Sequence, residues 1–205
     1  MCGRFTVTMT ALEIETLLMN DFSLEAVHVD DRPRYNMAPT QSVMGILFHQ
    51  GKYRFGDLKW GLQFSNHLAI NTRIETIEEK SYFKDLMKSQ RIVLLSNGYF
   101  EWDPTTKTPY YIHYENQAPM YFGGLWRKNN HNFECSIITL PASDGLSPIH
   151  PRMPFSMRLE NAQHWLKNEE DPKELINIPD QVIEISSRVN KVSENDKDIL
   201  RKNTA

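Results

Sequence analysis

The 205 residues suffice for one domain with a substantial core, and a composition of 40% hydrophobic and 24% charged residues is that of a soluble globular chain. The longest apolar runs (92–95 and 136–140) are strand-sized and no basic-then-apolar leader opens the chain, so neither a membrane span nor a signal peptide is expected. Two cysteines, Cys2 and Cys135, make no disulfide framework and point to a reducing cytoplasm; a net charge of −3 excludes a basic coat but not a local basic groove.

In chain order, RFTVTM alternates as a strand. TALEIETLLMND reads as a short helix, with Thr10 as its cap and Glu13 closing a capping box. DDRPRYNMAPTQ is a polar, Pro-containing loop, and SVMGILFHQGKYRFGDLKWGL is a hairpin turning near Gln50-Gly51. AINTRIETI is an irregular piece, followed by a helix in EEKSYFKDLMKSQ with Tyr82, Phe83, Leu86 and Met87 on one face. Strands then follow in series, RIVLLSNGYFEW, PYYIHY, MYFGGLW and FECSIITL, separated by turn-rich segments that imply antiparallel neighbours. PASDGLSPIHPRMP is a long loop, ENAQHWLK and DPKELIN are helical, QVIEISSRV is a late strand, and a polar tail is expected to fray. The whole reads as one α+β domain around a strongly curved, mainly antiparallel, barrel-like sheet flanked by short helices.

Several polar residues sit where a strand-rich core has no need of them. Asn71 and Arg73 lie in a piece too polar for a core strand. Glu101 stands between Phe100 and Trp102, where it is either turned to solvent, as alternation favours, or desolvated and raised toward general acid/base use. His150 and Arg152 occupy a loop stiffened by Pro148, Pro151 and Pro154; a lone loop histidine is more often merely exposed. Cys2 is either a small apolar residue opening a strand or, once Met1 is removed, an N-terminal cysteine carrying an amine and a thiol on adjacent carbons. The other histidines lack metal-ligand spacing and Cys135 has no CxxC partner, so no zinc site is expected.

MCGRFT, RYNMAPTQ, KWGL, NTRIET, NGYFEW, IHPRMP and ISSRVN occur in the order and approximate spacing of the SRAP family of abasic-site shielding proteins, from Cys2 to about Asn190. The chain therefore resembles that family, with the domain at 1–192 and the polar tail at 193–205. The resemblance implies that the N-terminus lies in a positively charged cleft that binds single-stranded DNA. It also implies covalent capture of the abasic aldehyde, within the DNA damage and SOS response. It makes Cys2 the crosslinking nucleophile, Asn71 an active-site amide, Glu101 the acid/base and His150 the active-site histidine. Arg73 and Arg152 fall on the family's phosphate-binding arginines, and Arg4, Pro39, Trp60 and Thr139 lie in segments lining its DNA cleft. A tryptophan in a hairpin strand is, on the other hand, usually core. No metal or organic cofactor is implied. The expected partner is abasic single-stranded DNA, with no membrane, and the expected state a cytoplasmic monomer, nucleoid-associated when on DNA.

Only an N-terminal cysteine can form an imine through its amine and then close a five-membered thiazolidine through its own thiol. Abasic-site lyase activity and peptidase-like self-processing of the N-terminus accompany this reading. Competing readings are an N-terminal-nucleophile glutamine amidotransferase, which also opens Met-Cys-Gly, a cysteine autopeptidase using Cys2, His150 and Glu101, and a non-catalytic single-strand-binding module.

Overall fold

The computed structural model describes residues 2–25, 27–29, 33–130 and 132–202. The first half contains β1 (Phe5–Val7), α1 (Ala11–Phe22), β2 (Arg34–Met37), β3 (Ser42–His49), β4 (Lys52–Trp60), β5 (Leu62–Gln63), β6 (Leu68–Ala69), β7 (Asn71–Arg73) and α2 (Ser81–Ser89). The second contains β8 (Arg91–Ser96), β9 (Gly98–Trp102), β10 (Pro109–His113), β11 (Met120–Asn129), β12 (Asn132–Pro141), β13 (Arg152–Pro154), β14 (Ser156–Met157), α3 (Leu159–Lys167) and β15 (Gln181–Glu184).

Strands β12, β4, β3, β8 and β11 pair in that order, and β11 pairs back onto β12, so the large sheet closes into a barrel. Most pairings are antiparallel; the exceptions are those of β12 with β4 and with β7, where Thr139 stands opposite Arg73. Beside the barrel lies a five-stranded sheet in the order β15-β10-β9-β1-β2. The two are joined through aromatic packing: Phe5 of β1 meets Trp60 and Phe122 of the barrel with ring centroids 5.0 and 5.5 Å apart. The α+β class and the curved, ring-like sheet are thus as expected.

The local rules hold. Thr10 and Glu13 form both halves of the capping box on α1. The β3–β4 hairpin turns at Gln50 and Gly51, both with positive φ (51° and 74°), the geometry of a tight primed turn. Expectations that depended on distant partners fare worse. The polar "loop" before β3 contains β2, which pairs with β1 because Asn36 is held there, its Nδ2 donating to the carbonyls of Val189, Lys191 and Glu194. RIVLLSNGYFEW is not one strand: it breaks at Asn97, with β8 in the barrel and β9 in the second sheet. Gly98 begins β9 because a Cβ there would come within 2.6 Å of the Tyr111 ring. Likewise IHPRMP is not all loop, since Arg152–Pro154 is β13. On α2, Phe83, Leu86 and Met87 are buried, but Tyr82 is partly exposed and packs instead against Phe64. DPKELIN gives a 3₁₀ turn at Pro172–Leu175.

Nor do residues 193–202 fray. Ile199 is buried with Phe100, Tyr111, Ile185 and Val189, and Asn195 Oδ1 accepts from the Tyr35 N–H. This apolar cluster covers one face of the second sheet while the main core, with Cys2, Phe5 and Tyr99, covers the other. Central β9 is therefore covered on both faces. That decides the fate of Glu101.

Candidate functional site

Successive residues of β9 point to opposite faces, so Phe100 enters the second cluster while Tyr99 and Glu101 turn toward the main core. Glu101 is only 3% exposed, which corrects the expectation from alternation that it faces solvent. Burial pushes its carboxyl up to about 7, so at neutral pH it is poised both to accept and to give a proton. Cys2 enters the same region from β1, which is fixed on β9 by the Phe100 N–H donating to the Arg4 carbonyl at 3.0 Å. The Cys2 side chain is fully buried. Burial, and then the charge of nearby Glu101, push its thiol well above the ordinary range. At rest the sulfur is a neutral thiol rather than a thiolate.

The barrel supplies the opposite wall. Asn71, at the start of β7, donates from Nδ2 to the Cys2 carbonyl at 2.9 Å, tying the two walls together. Its Oδ1 is buried and has no hydrogen-bond partner among the described residues. Two residues on, Arg73 shares that strand face and is exposed beside a groove of about 400 Å³ lined also by His67, Ile70, Lys80 and Phe83.

β12 separates β7 from β13, where Arg152 stands opposite Pro141. The Arg152 guanidinium grips Glu75 with two bonds of 2.6 and 3.0 Å and donates to the Thr139 carbonyl at 2.6 Å. His150 is half-buried; its Nδ1 lies 3.0 Å from both the backbone N and O of Arg152, and burial pulls its imidazole pKa down, favouring the neutral ring.

The structure therefore brings Cys2, Asn71 and Glu101 together, and places His150, Arg152 and Thr139 across the adjoining strands. It corrects part of the expected cleft lining. Trp60 is fully buried, packed on Phe5 with its Nε1 donating to the Ile70 carbonyl, and has no face for a base to stack on. Thr139 is also fully buried and acts on Arg152, through its Oγ1 at 3.2 Å. The Arg4 guanidinium is engaged by Asn36 Oδ1 and the Val189 carbonyl at 2.7 and 2.9 Å, supporting the sheet. Pro39 is half-buried at the turn whose Thr40 N–H bonds the Trp60 carbonyl. Sequence reasoning did not single out Glu75, although an acid two residues past Arg73 in so polar a piece was a signal for it.

Among the described residues no three His, Cys, Asp or Glu side chains are grouped to hold a metal, and no helix is long and apolar enough to cross a membrane.

A closed barrel and companion sheet that bury Cys2 against a raised carboxyl make this an α+β protein with its candidate site between the two sheets. The chain belongs to the SRAP family: the family model described as "SOS response associated peptidase (SRAP)" matches residues 1–195. Abasic site processing protein YobE of Bacillus subtilis is 32% identical over 182 residues, covering 81% of this chain and 82% of YobE. Abasic site processing protein YoqW of the same organism is 30% identical over 224 residues, covering 98% and 99%. The fold is that of a crystal structure of a Bacteroides thetaiotaomicron protein, with a TM-score of 0.79 at 20% identity over 98% of this chain and 100% of that one.

Proposed function

We propose that this chain processes abasic sites by binding single-stranded DNA and trapping the open aldehyde on Cys2, after Met1 is removed, as a thiazolidine. The observation that carries this is the burial of Cys2 beside Glu101, with Asn71 fastened to the Cys2 carbonyl. Relatives named for abasic site processing along nearly the whole chain support the substrate class.

The free amine of Cys2 adds to the C1′ aldehyde, and the carbinolamine loses water to give a protonated imine. Glu101, near half-ionised at neutral pH, takes a proton from the ammonium and returns one to the departing hydroxyl. The neutral thiol then adds to the imine carbon; the S–H proton passes through Glu101 to the nitrogen, and the ring closes with net loss of one water. His150, kept neutral by burial, serves sugar-ring opening at O4′. Arg73 and Arg152 hold flanking phosphates. A resting thiol suits this order, in which the amine attacks first. It suits a cysteine hydrolase poorly, because there the thiolate must lead.

The test is incubation of processed protein with a single-stranded oligonucleotide carrying one abasic site. The expected product survives a denaturing gel and has the summed masses less one water. Absence of any adduct, or glutamine hydrolysis by the same preparation, would overturn the reading.

A further inference from the structure

We propose that Glu75 is a positioning residue that aims Arg152 at DNA, and that its negative charge strengthens DNA binding rather than weakening it. The inference rests on the abasic-DNA reading above and concerns the fork of Arg152. Glu75 lies on the 3₁₀ turn Ile74–Thr76 that follows β7, and Arg152 opens β13 across β12. Glu75 takes one N–H from each terminal nitrogen, while the Thr139 carbonyl and Oγ1 engage Nη2. Two-edge anchoring of this kind fixes the plane of a guanidinium as well as its place.

What remains for a ligand is narrow. Nε is buried with no hydrogen-bond partner among the described residues, which leaves one Nη1 hydrogen outside the Glu75 and Thr139 bonds. The Arg152 side chain is only 13% exposed against 42% for Glu75. The Arg152 hydrogen bond holds the Glu75 carboxyl below its usual range, with the charges of Arg152 and Arg73 adding to the effect. Glu75 therefore keeps its charge wherever DNA is bound. The same arginine's backbone N–H meets His150 Nδ1, so slack at Arg152 passes directly to the histidine.

Coulomb repulsion alone and positioning predict opposite signs. If Glu75 acted only as a charge beside the phosphate path, Glu75→Gln would tighten binding by relieving repulsion. If it aims Arg152, Glu75→Gln loses part of the arginine's contact as well.

The experiment measures affinity of the full chain for undamaged single-stranded DNA across a salt series. It compares wild type, Glu75→Gln, Glu75→Asp, Arg152→Ala and the Glu75→Gln/Arg152→Ala double variant, with crosslinking to an abasic oligonucleotide read in parallel. Glu75→Gln is expected to weaken binding about 5- to 10-fold and flatten the salt slope by about one phosphate contact. Glu75→Asp should restore part of the loss, and the double variant should bind no worse than Arg152→Ala. Thermal unfolding of each variant checks folding, and Glu75→Asp keeps the test open if Glu75→Gln is unstable. Unchanged or tighter binding by Glu75→Gln, or losses that add in the double variant, would overturn the inference. Failure of wild type to bind or crosslink would instead overturn the abasic-DNA reading itself, and this inference with it.

Discussion

Two glutamates of similar exposure, one in the companion sheet and one in the barrel wall, are shifted in opposite directions. Glu101 on β9 is 3% exposed and Glu134 on β12 is 4% exposed. For both, burial works against the charged form. At Glu134 that push is outweighed: the Gln63 N–H, Arg127 and Asn129 all donate to it, and its carboxyl stays below the ordinary range. At Glu101 burial prevails over the contacts that favour the charged form, and its carboxyl rises to about 7. Glu134 joins the β5 strand to the barrel through Gln63 and Arg127. Glu101 is the acid to which the proposed function gives proton transfer. The sign of the shift separates the two acids: hydrogen bonds from Gln63, Arg127 and Asn129 prevail at Glu134, and burial prevails at Glu101.

That contrast can be broken experimentally. The largest expected effect lies at the nucleophile beside Glu101: Cys2→Ala should keep amine capture but lose the heat-stable adduct, its imine being trapped only by borohydride reduction. Adducts as heat-stable as wild type without reduction would remove the sulfur from the bond. Next, Glu101→Gln should slow crosslinking about 100-fold or more while leaving noncovalent DNA affinity near wild type. Single-turnover gels give the rate, and a wild-type rate would take Glu101 out of the chemistry.

Glu134→Ala should do the reverse, costing about 3 kcal/mol of stability in denaturant unfolding by leaving Arg127 without its buried partner. Crosslinking by the folded fraction should be little changed. The smallest effect is a pair of opposed pH slopes, each at most about 1.4 kcal/mol per pH unit. Glu101 has a folded pKa above its unfolded one, so the folded chain holds the proton more tightly and stability falls as pH rises from about 4.5 through 7. Glu134 has a lowered folded pKa; its stabilisation is complete at neutral pH and is lost as pH falls below the ordinary glutamate value. Glu101→Gln should flatten the first slope alone and Glu134→Gln the second. Stability curves from pH 2 to 8 would show any failure of this assignment.

The same two acids show what could be read from the sequence. Features set within a few residues were legible: the Thr10–Glu13 cap, the Gln50-Gly51 turn and the buried face of α2 at Phe83, Leu86 and Met87. Features set by remote chain were not. Alternation in NGYFEW could not tell that Ile185, Val189 and Ile199 would cover the far face of β9, so Glu101 looked exposed. Asn97 gave no warning that it separates two sheets. The resemblance named Cys2, Asn71, Glu101 and His150 where periodicity left each open, and Cys2, Asn71 and Glu101 lie together in the structure. It did not separate residues that touch a groove from those that support it. Trp60, Thr139 and Arg4 share segments with the site, yet their side chains are spent on packing or on internal hydrogen bonds.

The burial of Cys2 also has a consequence in time. Its chamber is closed by β9 and by the strand carrying Asn71, and neighbouring His150 and Arg152 are made later still. At about 5–20 residues per second, a ribosome takes roughly 8–30 s to reach them after the first codons. Throughout that interval Cys2 lacks the walls that bury it in the folded chain. The Met1 removal proposed above therefore has a window of seconds in which the growing chain has not yet made the partners that bury Cys2.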